Sequence, residues 1–377
     1  MMRYTISTTL TSLLISASAV QAEVPRVMTD FAPAGGLVAL VMGDLGAPEV
    51  LLDKGANAHD FQLRPSQSAA LQDAGLVVWI GPGMTPWLER ALKAFPDTAQ
   101  LRLNELPGTY IQDFGAQDAH DHDHDHDKAH GHDDGHDHDH DHGHDDHAAG
   151  AKDHEHDHGG HEGDDAQGQD EHGAGNDGHD HEASHDHDGG HDHAHDEGHE
   201  GHSHEGPDPH TWLDPANGAL WLDAIAEELS RRDPENAETY VANATAGKAL
   251  IAATDAANAA KLAPLKDKPF VVFHDAYGYF AGHYGLSVAG AIRPGDASSP
   301  GAAHLVELRE KAGGQALCLF PEVAHDPKLL TQMAEATGVR VGAPLDPEGV
   351  GLTVDRGTYP ALLTGLADTL ADCLGAN

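Results

Sequence analysis

Residues 76–81 read LVVWIG, an apolar run with no polar alternation. Such a strand is covered on both faces, the condition of a parallel sheet packed between helices. The same pattern returns in the FVVF of residues 270–273, and further β-rich runs fall at 24–28, 49–52, 100–103, 286–292, 316–320 and 339–343. Helical patterns lie among them at 35–42, 66–73, 87–94 and 212–231. This alternation predicts an α/β fold. An Ala-rich stretch free of proline between Pro234 and Pro264 predicts a rigid helix linking two lobes.

Residues 1–22 carry Arg3, a weakly apolar stretch through Leu10, Leu13, Leu14 and Ile15, and end on small residues at Val20 and Ala22. That is the form of a cleaved secretory signal peptide, with Glu23 as the first mature residue. No later run supplies the ~18 apolar residues of a membrane span. The mature protein is expected to be soluble outside the cytoplasm, in the periplasm. There the two cysteines, Cys318 and Cys373, are expected to pair, the alternative being two buried thiols.

Composition shifts sharply between residues 118 and 205. This stretch holds 30 Asp and Glu against Lys128 and Lys152, so it accounts for 28 of the 42 net negative charges of the chain. It also holds 27 of the 33 histidines. Almost without large apolar residues, it is expected to be disordered when empty. The sign of the charge disfavours a nucleic-acid partner. Subtracting leader and insert leaves about 265 residues, enough for two lobes. The expected division is a leader at 1–22, an N-terminal lobe at 23–232 that includes the insert, a linking helix at 233–265 and a C-terminal lobe at 266–377.

Chemistry concentrates at four segments near strand ends, where ligand groups gather in open α/β sheets. GANAHDFQLRPS contains His59 beside Asp60, DPHTWLDP contains His210 beside Asp208, VVFHDAYGYF contains His274 beside Asp275, and GAPLDPEG contains Asp346. One histidine at a strand end is usually a packing or capping residue. Three in equivalent settings, with a carboxylate, point to a metal. Imidazole suits zinc rather than calcium or magnesium, and three His with one carboxylate or water form an ordinary four-coordinate zinc shell. Asp60, Asp208 and Asp275 are candidates to orient the rings through hydrogen bonds, against a plain capping role. His283, His304 and His325 read as surface residues.

These motifs resemble the ZnuA family of zinc-uptake substrate-binding proteins of ABC transporters, in the cluster A-I group. HDFQLRPS, LVVWIGPGM, DPHTWLDP and FHDAYGYF occur in the family's order, with the acidic insert just before the second histidine. The resemblance implies two α/β lobes joined by a long helix, with a metal between them held by His59, His210, His274 and Asp346 or water. Manganese and iron members place Glu where this chain has His274, so nitrogen there favours zinc. Some zinc members carry Glu just before the first histidine, where this chain has Ala58. The family also has a two-cysteine version whose bridge matches Cys318 and Cys373.

The insert alternates His with Asp, as at His120, His122, His124 and His126, at His136, His138, His140 and His142, and at His191, His193 and His195. Extended, such tracts place imidazoles on one face. They are expected to collect zinc weakly near the cleft, the alternative being a solvated spacer. Zinc is the expected cargo. The expected partners are an inner-membrane permease with its ATPase, with a periplasmic zinc chaperone as a further candidate and the chain itself acting as a monomer. A zinc hydrolase would use a similar shell, but outside the acidic insert no H-E-x-x-H motif, nucleophile elbow or phosphate loop is present. A manganese or iron carrier, and a buffer or adhesin without a transporter, remain the other readings.

Overall fold

A computed structural model describes residues 24–59, 61–115, 206–293, 295 and 300–376. The expected signal peptide and the insert histidines lie outside these residues. The first sheet contains β1 (Val27–Thr29), β2 (Glu49–Val50), β3 (Leu76–Trp79) and β4 (Gln100–Arg102), in the order β2-β1-β3-β4. The second contains β5 (Phe270–His274), β6 (Val288–Arg293), β7 (Cys318–Leu319) and β8 (Arg340–Val341), in the order β6-β5-β7-β8. Every pairing in both is parallel. Parallel neighbours need crossover connections, so helices cover the faces and the central strands are mostly apolar. Leu76, Val77, Val78 and Trp79 are all completely buried, as the unbroken run LVVW requires.

Helix α1 (Ala32–Met42) starts three residues before the expected Gly35, because Pro33 sits in the first turn, where its missing N–H is no loss. All its residues from Pro33 to Met42 are buried, so it is an interior helix. A Cβ on Gly36 would lie 2.9 Å from the Tyr359 backbone nitrogen, so only glycine permits this approach. Helices α2 (Pro65–Gln72) and α3 (Pro86–Lys93) complete the first layer. Helix α4 (Pro215–Arg232) follows, with the Asp214 carboxylate accepting the Ala216 N–H at its start.

The Ala-rich segment forms α5 (Ala237–Leu262), 26 residues long. At 1.5 Å per residue it runs about 39 Å. It lies against α4 and α1, burying small groups such as Ala244 and Gly247 beside Tyr240 and Ile251. Helices α6 (Gly278–Tyr284), α7 (Ala302–Gln315) and α8 (Lys328–Thr337) alternate with the strands of the second sheet.

The last helix, α9 (Thr358–Leu374), packs on α1 and α5. It therefore straddles the boundary expected at residue 266. Its buried Leu362, Leu363, Leu366 and Leu370 join one apolar cluster that also contains Phe31 and Val78 of the first lobe and Phe270 and Phe320 of the second. The Cys318–Cys373 disulfide ties β7 to the end of α9, closing a separation of 55 residues. Among the described residues no helix is long and apolar enough to cross a membrane.

Candidate metal centre

Three buried imidazoles meet between the lobes. His59 lies in the loop after β2, His210 in the loop before α4, and His274 ends β5. Their relative exposures are 6%, 0% and 2%. One donor nitrogen from each can be chosen so that all lie within 4.8 Å of one another. Ring centroids are 5.5 Å apart for His59 and His210, 6.3 Å for His59 and His274, and 5.3 Å for His210 and His274.

Two of the rings are oriented by carboxylates. Nδ1 of His210 lies 2.7 Å from Asp208 Oδ1, an oxygen that also accepts the His210 backbone N–H at 3.0 Å. Tyr279 holds this turn by donating its hydroxyl to the Asp208 carbonyl at 2.9 Å. Nδ1 of His274 lies 2.5 Å from Oε2 of Glu322, whose Oε1 accepts from the Tyr277 hydroxyl at 3.0 Å and the His274 N–H at 3.3 Å. A neutral imidazole that donates from Nδ1 keeps its lone pair on Nε2, the nitrogen left for a cation. His59 is placed by its backbone: its N–H donates to Asn57 Oδ1 at 2.7 Å, and Trp87 Nε1–H donates to the Ala58 carbonyl at 2.7 Å.

The group on His274 Nδ1 is thus Glu322, where the sequence reading names Asp275. Glu322 lies three residues past the end of β7, so the strand-end logic that finds the histidines also reaches it once carboxylates are counted. The backbone of Asp275 donates to the Arg293 carbonyl at 3.1 Å. Asp60 lies outside the described residues. The Asp346 oxygens each accept a backbone N–H at 2.9 Å, from Val350 and from Gly351, so this side chain shapes its own turn. That is the ordinary work of Asp at the head of a D-P-x-G turn. The carboxylate facing His59 belongs to Glu348, two residues later. Its Oε1 lies 3.9 Å from His59 Nε2, and its Oε2 accepts the Ala58 N–H at 3.2 Å. Burial pushes the Glu348 carboxyl up to about 7, against the lowering pull of His274, the Ala58 amide and His210.

His325 is not the ordinary surface residue expected. It is half-buried, stacks on Phe273 at 4.7 Å between centroids, and reaches within 3.6 Å of Glu322. His283 bonds Asp255 at 2.8 Å, and His304 bonds the Ala291 carbonyl at 2.8 Å.

A buried set of imidazole nitrogens with one carboxylate suits a borderline divalent cation such as zinc and is poor for hard ions. Comparison with known proteins agrees. The family model for ZnuA, described as zinc-uptake complex component A, periplasmic, matches residues 27–373. The high-affinity zinc uptake system protein ZnuA of Paracoccus denitrificans is 47% identical over 359 residues, covering 95% of this chain and 94% of that protein. The protein of the same description from Brucella abortus is 34% identical over 362 residues, covering 95% and 94%. A crystal structure of a ZnuA superposes with a TM-score of 0.62 at 20% identity, covering 93% of this chain and 99% of that one, which speaks to the fold alone.

Proposed function

The chain belongs to the ZnuA family of periplasmic zinc-uptake components, and from that premise we propose that it captures zinc in the periplasm and delivers it to an ABC importer of the inner membrane. One observation carries the assignment of the site. Three buried imidazoles from segments as far apart as 59, 210 and 274 offer nitrogens within 4.8 Å of one another, on a scale that a single ion draws together.

In this reading zinc is cargo. The ion is held by His59, His210 and His274, with Asp208 and Glu322 fixing the rings of the latter two. Imidazole nitrogens at all three positions favour zinc over manganese or iron. Both lobes supply ligands, and the apolar core runs continuously between them, so binding calls for small tilts rather than wide opening. The cargo is handed to a permease driven by its ATPase. A cleaved leader at 1–22 delivers the chain to the periplasm, where it works as a monomer, and a zinc chaperone is a candidate donor. The acidic histidine tracts of 118–205 collect zinc at lower affinity. The role is carriage, and turnover is not part of it.

Metal analysis and chelator competition on the mature protein, with and without residues 118–205, test this reading. Deletion should reduce stoichiometry and leave one tight site. His274→Ala should lower that site's affinity by about a hundredfold or more. A tight site that survives His274→Ala, or one that vanishes with the insert, contradicts the assignment.

A further inference from the structure

We propose that Glu348 completes the zinc site as its fourth ligand, a carboxylate delivered from the second lobe to the side of the first. This rests on the zinc reading above and extends it to a residue that the strand-end reading passes over. Four donors at ~2.0 Å from a tetrahedral zinc lie about 3.3 Å from one another. Glu348 Oε1 stands 3.9 Å from His59 Nε2, so a contraction of about half an ångström brings both onto one ion. The histidine donors, within 4.8 Å of one another in a group that does not include Glu348, close by up to about 1.5 Å, so the imidazoles and the carboxylate converge as the ion binds.

Position 58 explains why a carboxylate must come from elsewhere. Ala58 is completely buried and has no ionisable side chain, and its N–H donates to Glu348 Oε2 across a sequence separation of 290. The loop bearing Glu348 is fixed at several points. The Pro347 carbonyl accepts the Trp212 indole N–H at 2.8 Å, and Leu345 N–H donates to Pro321 at 2.8 Å. Asp346 turns the chain by accepting from Val350 and Gly351. Asp346 is therefore a positioning residue, and Glu348, 5% exposed, is the acid presented to the site.

Two ligands then come from each lobe: His59 and His210 from the first, His274 and Glu348 from the second. One carboxylate also halves the charge of a divalent cation held away from water, which three neutral imidazoles cannot do.

The test uses the full chain with one equivalent of metal, measuring zinc affinity by chelator competition and the visible spectrum with cobalt. Glu348→Gln keeps the shape and an acceptor for Ala58. It should lower tight-site affinity about tenfold or more and alter the cobalt spectrum, with the metal-free melting temperature little changed. Glu348→Asp, which keeps the charge but withdraws it, should fall between. Asp346→Asn, which keeps only one of the two acceptors that hold the turn, should lose affinity but less than Glu348→Gln. Wild-type affinity and cobalt spectrum in Glu348→Gln or Glu348→Asp would overturn the proposal, as would a loss in Asp346→Asn that exceeds the loss in Glu348→Gln. His274→Ala separates the two levels. If it loses tight binding while Glu348→Gln does not, only the fourth ligand is wrong. If it retains tight binding, the zinc site itself is misplaced.

Discussion

His210 and His274 solve the same problem with different parts of the chain. Both rings are buried and both present Nδ1 to a carboxylate. The partner of His210 is Asp208, two residues away in the same turn. The partner of His274 is Glu322, 48 residues away in the segment that follows the neighbouring strand β7. The local pair is formed wherever its turn is formed. The distant pair exists only when β5 and β7 are in register, so it reports the folded state of the second lobe. Glu322 is also the more committed group, because Tyr277 and the His274 amide donate to it as well.

Breaking the covalent tie on β7 tests how far that distant pair depends on its surroundings. Replacing both Cys318 and Cys373 with Ala opens a link across 55 residues. It should cost about 4 kcal/mol of global stability, read from urea unfolding. Zinc affinity of the folded fraction should stay within about threefold, because the bridge between Glu322 and Leu345 holds the strand end independently. A tenfold loss would show that the distant pair leans on the disulfide. Next in size, Glu322→Gln should lower zinc affinity toward the hundredfold end of the usual 10–100-fold range for groups that orient a metal-binding His, and Asp208→Asn toward the tenfold end. Equal losses would mean that the extra donors on Glu322 add nothing to the ring's placement.

The same contrast explains what the sequence made visible. LVVWIG and FVVFH disclose buried parallel strands because burial on both faces leaves no alternation, and the Ala-rich run discloses α5 because nothing in it breaks a helix. The three histidines stand out by their place beside strand ends. Asp208 can be named because it lies two residues from its ring, whereas Glu322 comes from the segment after another strand and no spacing in sequence measures that distance. Asp346 and Glu348 share one short motif, D-P-E-G. Which acid serves the turn and which faces the ions is set by backbone amides that close only in the folded loop. His325 looks superficial in sequence because its cover, Phe273, belongs to a different strand.

Asp30 provides the comparison with a strand-end carboxylate that holds no ring. It follows β1, is completely buried, and accepts the Ile80 N–H at 2.9 Å and the Phe31 N–H at 3.0 Å. Burial raises its pKa from 3.8 to about 7, and the amides and Thr85 only partly oppose this. Between about pH 4 and 7 the folded protein therefore retains a proton that the unfolded chain has released, so the Asp30 contribution to stability falls as pH rises through that window. Below pH 4 both states are protonated and the contribution is flat. The rise in pKa sets a bound of ~4 kcal/mol, and relaxation around the site should leave about 1 kcal/mol. Urea unfolding of the metal-free protein at pH 5 and pH 8 should show wild type losing that much more stability than Asp30→Asn. Glu348, which titrates in the same range, is common to both proteins and cancels in the difference. Parallel stability profiles for the two would mean that Asp30 is ionised in the fold, its charge carried by the Ile80 and Phe31 amides.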